Sequence, residues 1–204
     1  MTEKERLLQG HLYHSSDAEL EQMHLTARRA LDRINATSHE DFQGRYQILK
    51  EICHSIGKQV IINKPFYFDY GAHISIGDRF YANYDCLLLD ANHIIIGNDV
   101  QFGPKVSLLT AGHPLDASIR HTGLEFAKRI VIEDGVWLGA NVIVNPGITI
   151  GSNSVIGSGA VVTKDIPPNC LAYGNPCRVI RQITSADRQI YAIEASNHPI
   201  NQTK

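Results

Sequence analysis

The sequence predicts a mainly β chain, a parallel β-helix of six-residue repeats with an N-terminal helical extension and a short C-terminal helix. Two observations carry this. Ile132, Leu138, Val144, Ile150, Ile156 and Val162 recur six residues apart without a break. A second small or apolar series, Val136, Val142, Ile148, Ser154, Ala160 and Ile166, follows each of them at four residues. Before about Val60 the texture is helical, and the change divides the chain into an extension (1–58), a coil (59–183) with a loop excursion at about 110–129, and a tail (184–204).

In the extension, Leu20, Met23, Ala27, Ala30, Leu31 and Ile34 stand at three- and four-residue steps, an amphipathic helix running from Asp17. Asn35–Ser38 interrupts it. A second helix is expected to carry Phe42, Tyr46, Leu49, Ile52 and Ile56 on one face and to end at Gly57.

In the coil, one inward aliphatic per six-residue unit fills an axis, and three units close a triangular turn. A lone turn cannot bury its aliphatics, so only the stack is stable. The pattern begins earlier, at Ile76, Ala82 and Leu88, and resumes at Ile96, Phe102 and Leu108 after two inserted residues. Gly, Asn and Asp at the corners suit backbone with positive φ. A β-sandwich would alternate with period two, and this chain does not. Thr110–Arg129 breaks the repeat with Gly112, Pro114, two histidines and several charges, a length of loop that is usually functional or disordered. Pro167–Pro168 stops the coil, and Asp187–Ala195 is the expected body of a terminal helix.

Composition narrows the function. Lysine plus arginine number 19 against 21 acids, a net charge of -2, which gives nucleic-acid binding no support. No stretch approaches a membrane span and the charged start lacks a signal core, so a cytoplasmic location is expected. Cys53, Cys86, Cys170 and Cys177 form no CxxC pair and read as free structural thiols.

Four segments, in order, make the chain similar to the hexapeptide-repeat sugar O-acetyltransferases of the maltose, galactoside and nodulation type. They are GHLYHSSDAEL (Gly10–Leu20), FYANYDCLLLD (Phe80–Asp90), TAGHPLDASIR (Thr110–Arg120) and the run Val136–Arg181. The resemblance covers nearly the whole chain and leans to the maltose branch. It implies a left-handed coil, acetyl-CoA as donor, no metal, a sugar hydroxyl as acceptor, and a homotrimer with active sites between subunits. Two departures from the galactoside branch are Asp69, where that branch has serine, and Ala91 after Asp90, where it has a second acid. Arg129 stands where relatives often place proline.

Acetyl transfer to an alcohol needs a base, an oxyanion donor and alignment of both substrates. His113 lies between Gly112 and Pro114 where the coil is interrupted, and by its residues alone is equally an exposed loop histidine. The resemblance makes it the general base. By the same resemblance Asn83 is an active-site amide, although Asn also suits a coil corner, and Ala140 contributes its backbone N–H. Asp17, Asp69 and Asp90 become acceptors for sugar hydroxyls, with Ser15 in place of Asp17 if the extension shifts by two. A lone Asp is equally a helix cap. Ser158, Thr163, Lys164, Arg178 and Arg181 match coenzyme A positions, a local basic cluster suited to phosphates. A γ-carbonic-anhydrase-type hydrolase would need three imidazoles from successive coils, and the C-terminal coils, Ile132–Ile166, contain no histidine. A catalytically silent scaffold would need neither His113 nor the basic cluster.

Overall fold

The computed structural model describes residues 1–198, so residues 199–204 of the expected tail lie outside the described residues. The coil is a three-sided parallel β-solenoid. Its first face stacks Ser55–Ile56, Ile74–Ile76, Ile94–Ile96, Ile130–Ile132 and Thr149–Ile150. The second stacks Ile61–Ile62, Tyr81–Ala82, Gln101–Phe102, Trp137–Leu138, Val155–Ile156 and Cys170–Tyr173, then adds Arg178–Gln182 antiparallel at its end. The third stacks Phe66–Phe68, Cys86–Leu89, Ser107–Leu109, Ile143–Val144 and Val161–Val162.

The repeat aliphatics do what their spacing implies. Ile132, Leu138, Val144, Ile150, Ile156 and Val162 are each fully buried, and every member of the second series is also buried. Each buried valine, leucine or isoleucine contributes about 1.5–3 kcal/mol relative to exposure. Ser154, the polar member, donates its hydroxyl to Pro167 O (2.8 Å) and accepts from Cys170 N–H (3.0 Å), so its burial carries no orphan.

The corners are held by side chains reaching from rung to rung. The Oδ1 atoms of Asp78, Asn98 and Asp134 accept the N–H of Lys58, Asp78 and Asn98 respectively, at 2.7–2.9 Å. Positive φ occurs at Asn141, Asn153 and Asn169 as expected, but also at Gln59, Arg79 and Lys105. Arg79 is secured there by two bonds to Asp99 one rung on (2.6 and 2.7 Å).

The extension contains three helices, α1 (Glu3–Leu8), α2 (Ala18–Ala36) and α3 (Phe42–Ile52). The second expected helix stops five residues short of Gly57. Ser55–Ile56 is instead the first strand of the coil, paired in register with Ser75–Ile76, because bonding to that edge outweighs one more helical turn. Helix α3 is fastened by Arg45, 1% exposed, whose guanidinium donates to Ile62 O, Thr37 Oγ1, Ser38 O and His39 O.

The excursion is ordered. Ala111–Gly112 and Leu124–Ala127 form a hairpin around a short helix α4 (Ala117–Arg120), and Tyr13–His14 of the extension adds a third antiparallel strand. After the coil, α5 (Ser185–Asn197) buries no residue and is two residues longer at each end than expected. Among the described residues no helix is long and apolar enough to cross a membrane.

Candidate active site

The expected site residues fall on two different edges of the prism. The edge between the second and third faces carries Asn83, Ala140 and Ser158, with Ala140 and Ser158 at corresponding corners of adjacent rungs and Asn83 two rungs before Ala140. The edge between the third and first faces carries Asp69, Asp90, the hairpin with His113, and Thr163–Lys164. A strand and its flanking residues separate these edges, roughly 20 Å of extended chain.

On the second–third edge, Asn83 is half-buried and its Oδ1 accepts the Tyr84 N–H (2.8 Å), which leaves the amide N–H groups without a partner among the described residues. Ala140 N–H is not a free donor: it is spent on Ser158 Oγ at 3.1 Å. Stacking puts these two residues on adjacent rungs, and the hydroxyl must rotate aside before that N–H can meet a ligand. Gly139 makes the approach possible, since a Cβ there would stand 2.7 Å from Ser158 N.

On the third–first edge a buried polar node supports the hairpin. Thr110 Oγ1 donates to Leu89 O (2.6 Å) and accepts from Asn92 N–H (2.9 Å). Asn92 Nδ2 donates to Leu7 O (2.8 Å) and Ala127 O (3.2 Å), tying coil, α1 and hairpin together. Gly112 must lack a side chain, because a Cβ would meet the Phe126 ring at 2.5 Å. His113 follows, exposed at the hairpin end.

The ladder Ala111↔Ala127 and Gly112↔Phe126 ends one residue before His113, and Glu125 is the next residue along the partner strand. Glu125 was not among the sequence candidates. Its two carboxylate oxygens accept from Tyr13 Oη (2.8 Å) and Ser15 Oγ (2.9 Å), and burial together with this bond raises the Tyr13 phenol far above its ordinary pKa.

The three expected sugar acceptors occupy different settings. Asp17 is the N-cap of α2, its Oδ1 accepting from Glu19 N–H (3.0 Å) and Leu20 N–H (3.3 Å), while Ser15 is the residue joined to Glu125. Asp90 is fully buried and cannot meet a sugar directly. Its carboxylate accepts the N–H groups of Asp69 (2.9 Å), Tyr70 (2.8 Å) and His73 (3.3 Å), and burial, partly offset by these bonds, pushes its pKa up to about 7. Asp69 remains accessible, 3.6 Å from His24 Nε2. Beside it, Ser15, Ser16, Glu21, His24, Leu25 and Arg28 line an open cleft of about 360 Å³.

Thr163, Lys164 and Arg178 are exposed. The register shift between Leu171 and Ala172 puts Arg178 opposite Tyr173 and Arg181 opposite Leu171, two positions sharing the outward side of the strand. Arg181 is already engaged by Asp187 through two bonds (2.6 and 2.8 Å), which hold that carboxyl well below its usual range. All four cysteines are free thiols, and burial pushes Cys53 up to about 12 and Cys86 to about 11, which makes them poor nucleophiles. Among the described residues no three His, Cys, Asp or Glu side chains are grouped to hold a metal ion.

A hexapeptide solenoid with a histidine hairpin on one edge and a basic end defines an acyltransferase class, and comparison with known proteins agrees. Residues 129–164 match the bacterial transferase hexapeptide (six repeats) family, and residues 6–57 match the maltose acetyltransferase hexapeptide capping motif. A galactoside O-acetyltransferase of Lactococcus lactis is 40% identical over 181 residues, 88% of this chain and 87% of that protein. The crystal structure of a maltose O-acetyltransferase from Clostridium difficile superposes with a TM-score of 0.89 at 45% identity, covering 90% of this chain and 98% of that one. A galactoside acetyltransferase in complex with coenzyme A also gives 0.89, at 38% identity over 92% and 94% of the two chains. The chain belongs to the hexapeptide-repeat acetyltransferases, in the branch of the maltose and galactoside O-acetyltransferases.

Proposed function

We propose that this enzyme moves an acetyl group from acetyl-CoA to a hydroxyl of a mono- or disaccharide of the maltose or glucose type, at sites formed between the chains of a cytoplasmic homotrimer. The observation that carries the proposal is the division of the candidate residues between two edges of one prism. In a closed ring of three chains, each turning its third face to the axis, the His113 edge of one chain meets the Asn83 edge of the next. Of the outward residues of that face, Tyr67, Leu87, Leu89, Leu109, Ile143 and Val161 are apolar and Ser107 is polar, a mainly apolar strip that suits burial between chains. A reducing compartment agrees with four free thiols.

At such a seam His113 takes the proton of the sugar hydroxyl as its oxygen attacks the thioester carbonyl carbon. The Asn83 amide, and the Ala140 N–H once Ser158 has turned aside, donate to the oxyanion. The tetrahedral adduct collapses with cleavage of the C–S bond, and the imidazolium returns its proton to the departing thiolate. Base catalysis of this kind contributes on the order of 10²–10⁴ in rate, and each oxyanion donor about 10²–10³. Ser15 and Asp69 face the acceptor. Thr163 and Lys164 from one chain, with Ser158 and Arg178 from the next, flank the coenzyme. Arg181 contributes less, because its guanidinium is shared with Asp187.

The test is release of free thiol from acetyl-CoA across a panel of glucose, maltose, galactosides and amino sugars. Sugar-dependent release supports the reading, and release that no sugar accelerates refutes it.

A further inference from the structure

We infer that Asp90 is a positioning residue for the acceptor: it fixes the turn 69–73 and, through that turn, sets the Asp69 carboxylate. This rests on the proposed role of Asp69 at the sugar.

Four hydrogen bonds, accepted by three of its oxygens, join Asp90 to the turn. Its Oδ1 accepts two successive N–H groups, from Asp69 and Tyr70, and its Oδ2 accepts the N–H of His73. Its backbone carbonyl accepts from His73 Nδ1 at 2.8 Å, which makes the buried Nε2 of that ring an acceptor without a partner among the described residues. The turn passes through Gly71 at φ +70, where a Cβ would meet Ile52 Cγ1 at 2.7 Å, so it has no room to relax toward α3.

The turn bears on two groups beside the cleft. Asp69 belongs to it, and His24 of α2, which lines the cleft, has its Nε2 3.6 Å from Asp69 Oδ1 and stacks on the Tyr70 ring at 4.2 Å and 22°. The Tyr70 side chain is packed with Leu7, Tyr13 and Leu20 of the extension and with Ala91 and Ala127. A shift of the turn therefore moves Asp69 and His24 together relative to the hairpin. A fully buried carboxylate that spends its oxygens on three main-chain donors is costly unless all three are met. Here all three are met, and the segment they fix carries Asp69.

The experiment is a double-mutant cycle of Asp90→Asn and Asp69→Asn, with KM measured separately for sugar and acetyl-CoA. Asparagine keeps the shape but turns one acceptor into a donor facing N–H groups. Asp90→Asn is expected to raise the sugar KM about tenfold, as a displacement below one ångström would, with kcat and the acetyl-CoA KM within about twofold. In the Asp69→Asn background it should add nothing, since both changes remove the same contact. Equal effects on both substrates, or effects that multiply in the double variant, overturn the positioning role while leaving Asp69 at the sugar. An unchanged sugar KM in Asp69→Asn overturns the role of Asp69 and the inference with it. If Asp90→Asn does not fold, His73→Phe, which removes only the ring tether, replaces it in the cycle with the same expected pattern and the same refuting outcomes.

Discussion

If each active site is made from the His113 edge of one chain and the Asn83 edge of the next, two inactive variants should repair each other. In a trimer of His113→Ala chains every site lacks the base, and in a trimer of Asn83→Ala chains every site lacks the amide. Equal amounts, allowed to exchange subunits, place an intact His113 edge against an intact Asn83 edge at a seam with probability one half times one half. About a quarter of the sites, and hence about a quarter of wild-type turnover, should return, because each seam of a cyclic trimer joins two different edges. The parents should retain about 10²–10⁴-fold less than wild type, so the recovery stands far above background. The assay is thiol release before and after exchange, with mixed trimers verified by native mass spectrometry of differently tagged chains. Verified mixed trimers with no gain over the parents would refute the two-edge reasoning and put both residues in one chain's own site.

Three further perturbations follow from the geometry. Arg45→Met removes a buried donor to four oxygens and leaves three carbonyls unmet, so it should cost about 3–5 kcal/mol, lowering Tm by about 10 °C without changing turnover at low temperature. Lys164→Ala and Arg178→Ala should each raise the acetyl-CoA KM about tenfold with little change for sugar, the loss shrinking in high salt; equal effects on both substrates would count against their role. His73 is held neutral by burial, its pKa lowered from 6.5. The unfolded chain therefore binds more protons below about pH 6.5, and this histidine's contribution is complete above that pH and lost as pH falls. Asp90, raised to about 7, contributes the opposite slope, so the wild-type minus His73→Phe difference in Tm is the quantity to follow. It should fall between pH 7 and pH 5, and a flat difference would contradict it.

Much of the coil was legible because burial enforces the repeat directly: an aliphatic out of phase would leave the axis, and none from Ile132 to Val162 is. The helix–coil junction was not. Ile56 continues the four-residue spacing of α3, and only its pairing with Ile76, twenty residues on, draws it into a strand. Helix α1 announces itself through a Thr2–Glu5 capping box that periodicity alone passes over. The hairpin and Glu125 were hidden for a different reason. The third strand, Tyr13–His14, is over a hundred residues distant in sequence, so nothing local relates Glu125 to Ser15 or His113. The carboxylates show the same limit. Asp17, Asp69 and Asp90 are alike as letters, and only the fold makes one a helix cap, one an accessible acceptor and one a buried anchor. Arg79 and Lys105 at positive φ likewise break the turn signature, compensated for Arg79 by its bonds to Asp99.

The base assignment is tested most directly by turnover of His113→Ala at saturating sugar, alongside the acetyl-CoA dissociation constant of the same variant. Turnover should drop by about 10²–10⁴ while the dissociation constant stays within about twofold. Wild-type turnover in this variant would contradict the mechanism, whatever the acceptor proves to be.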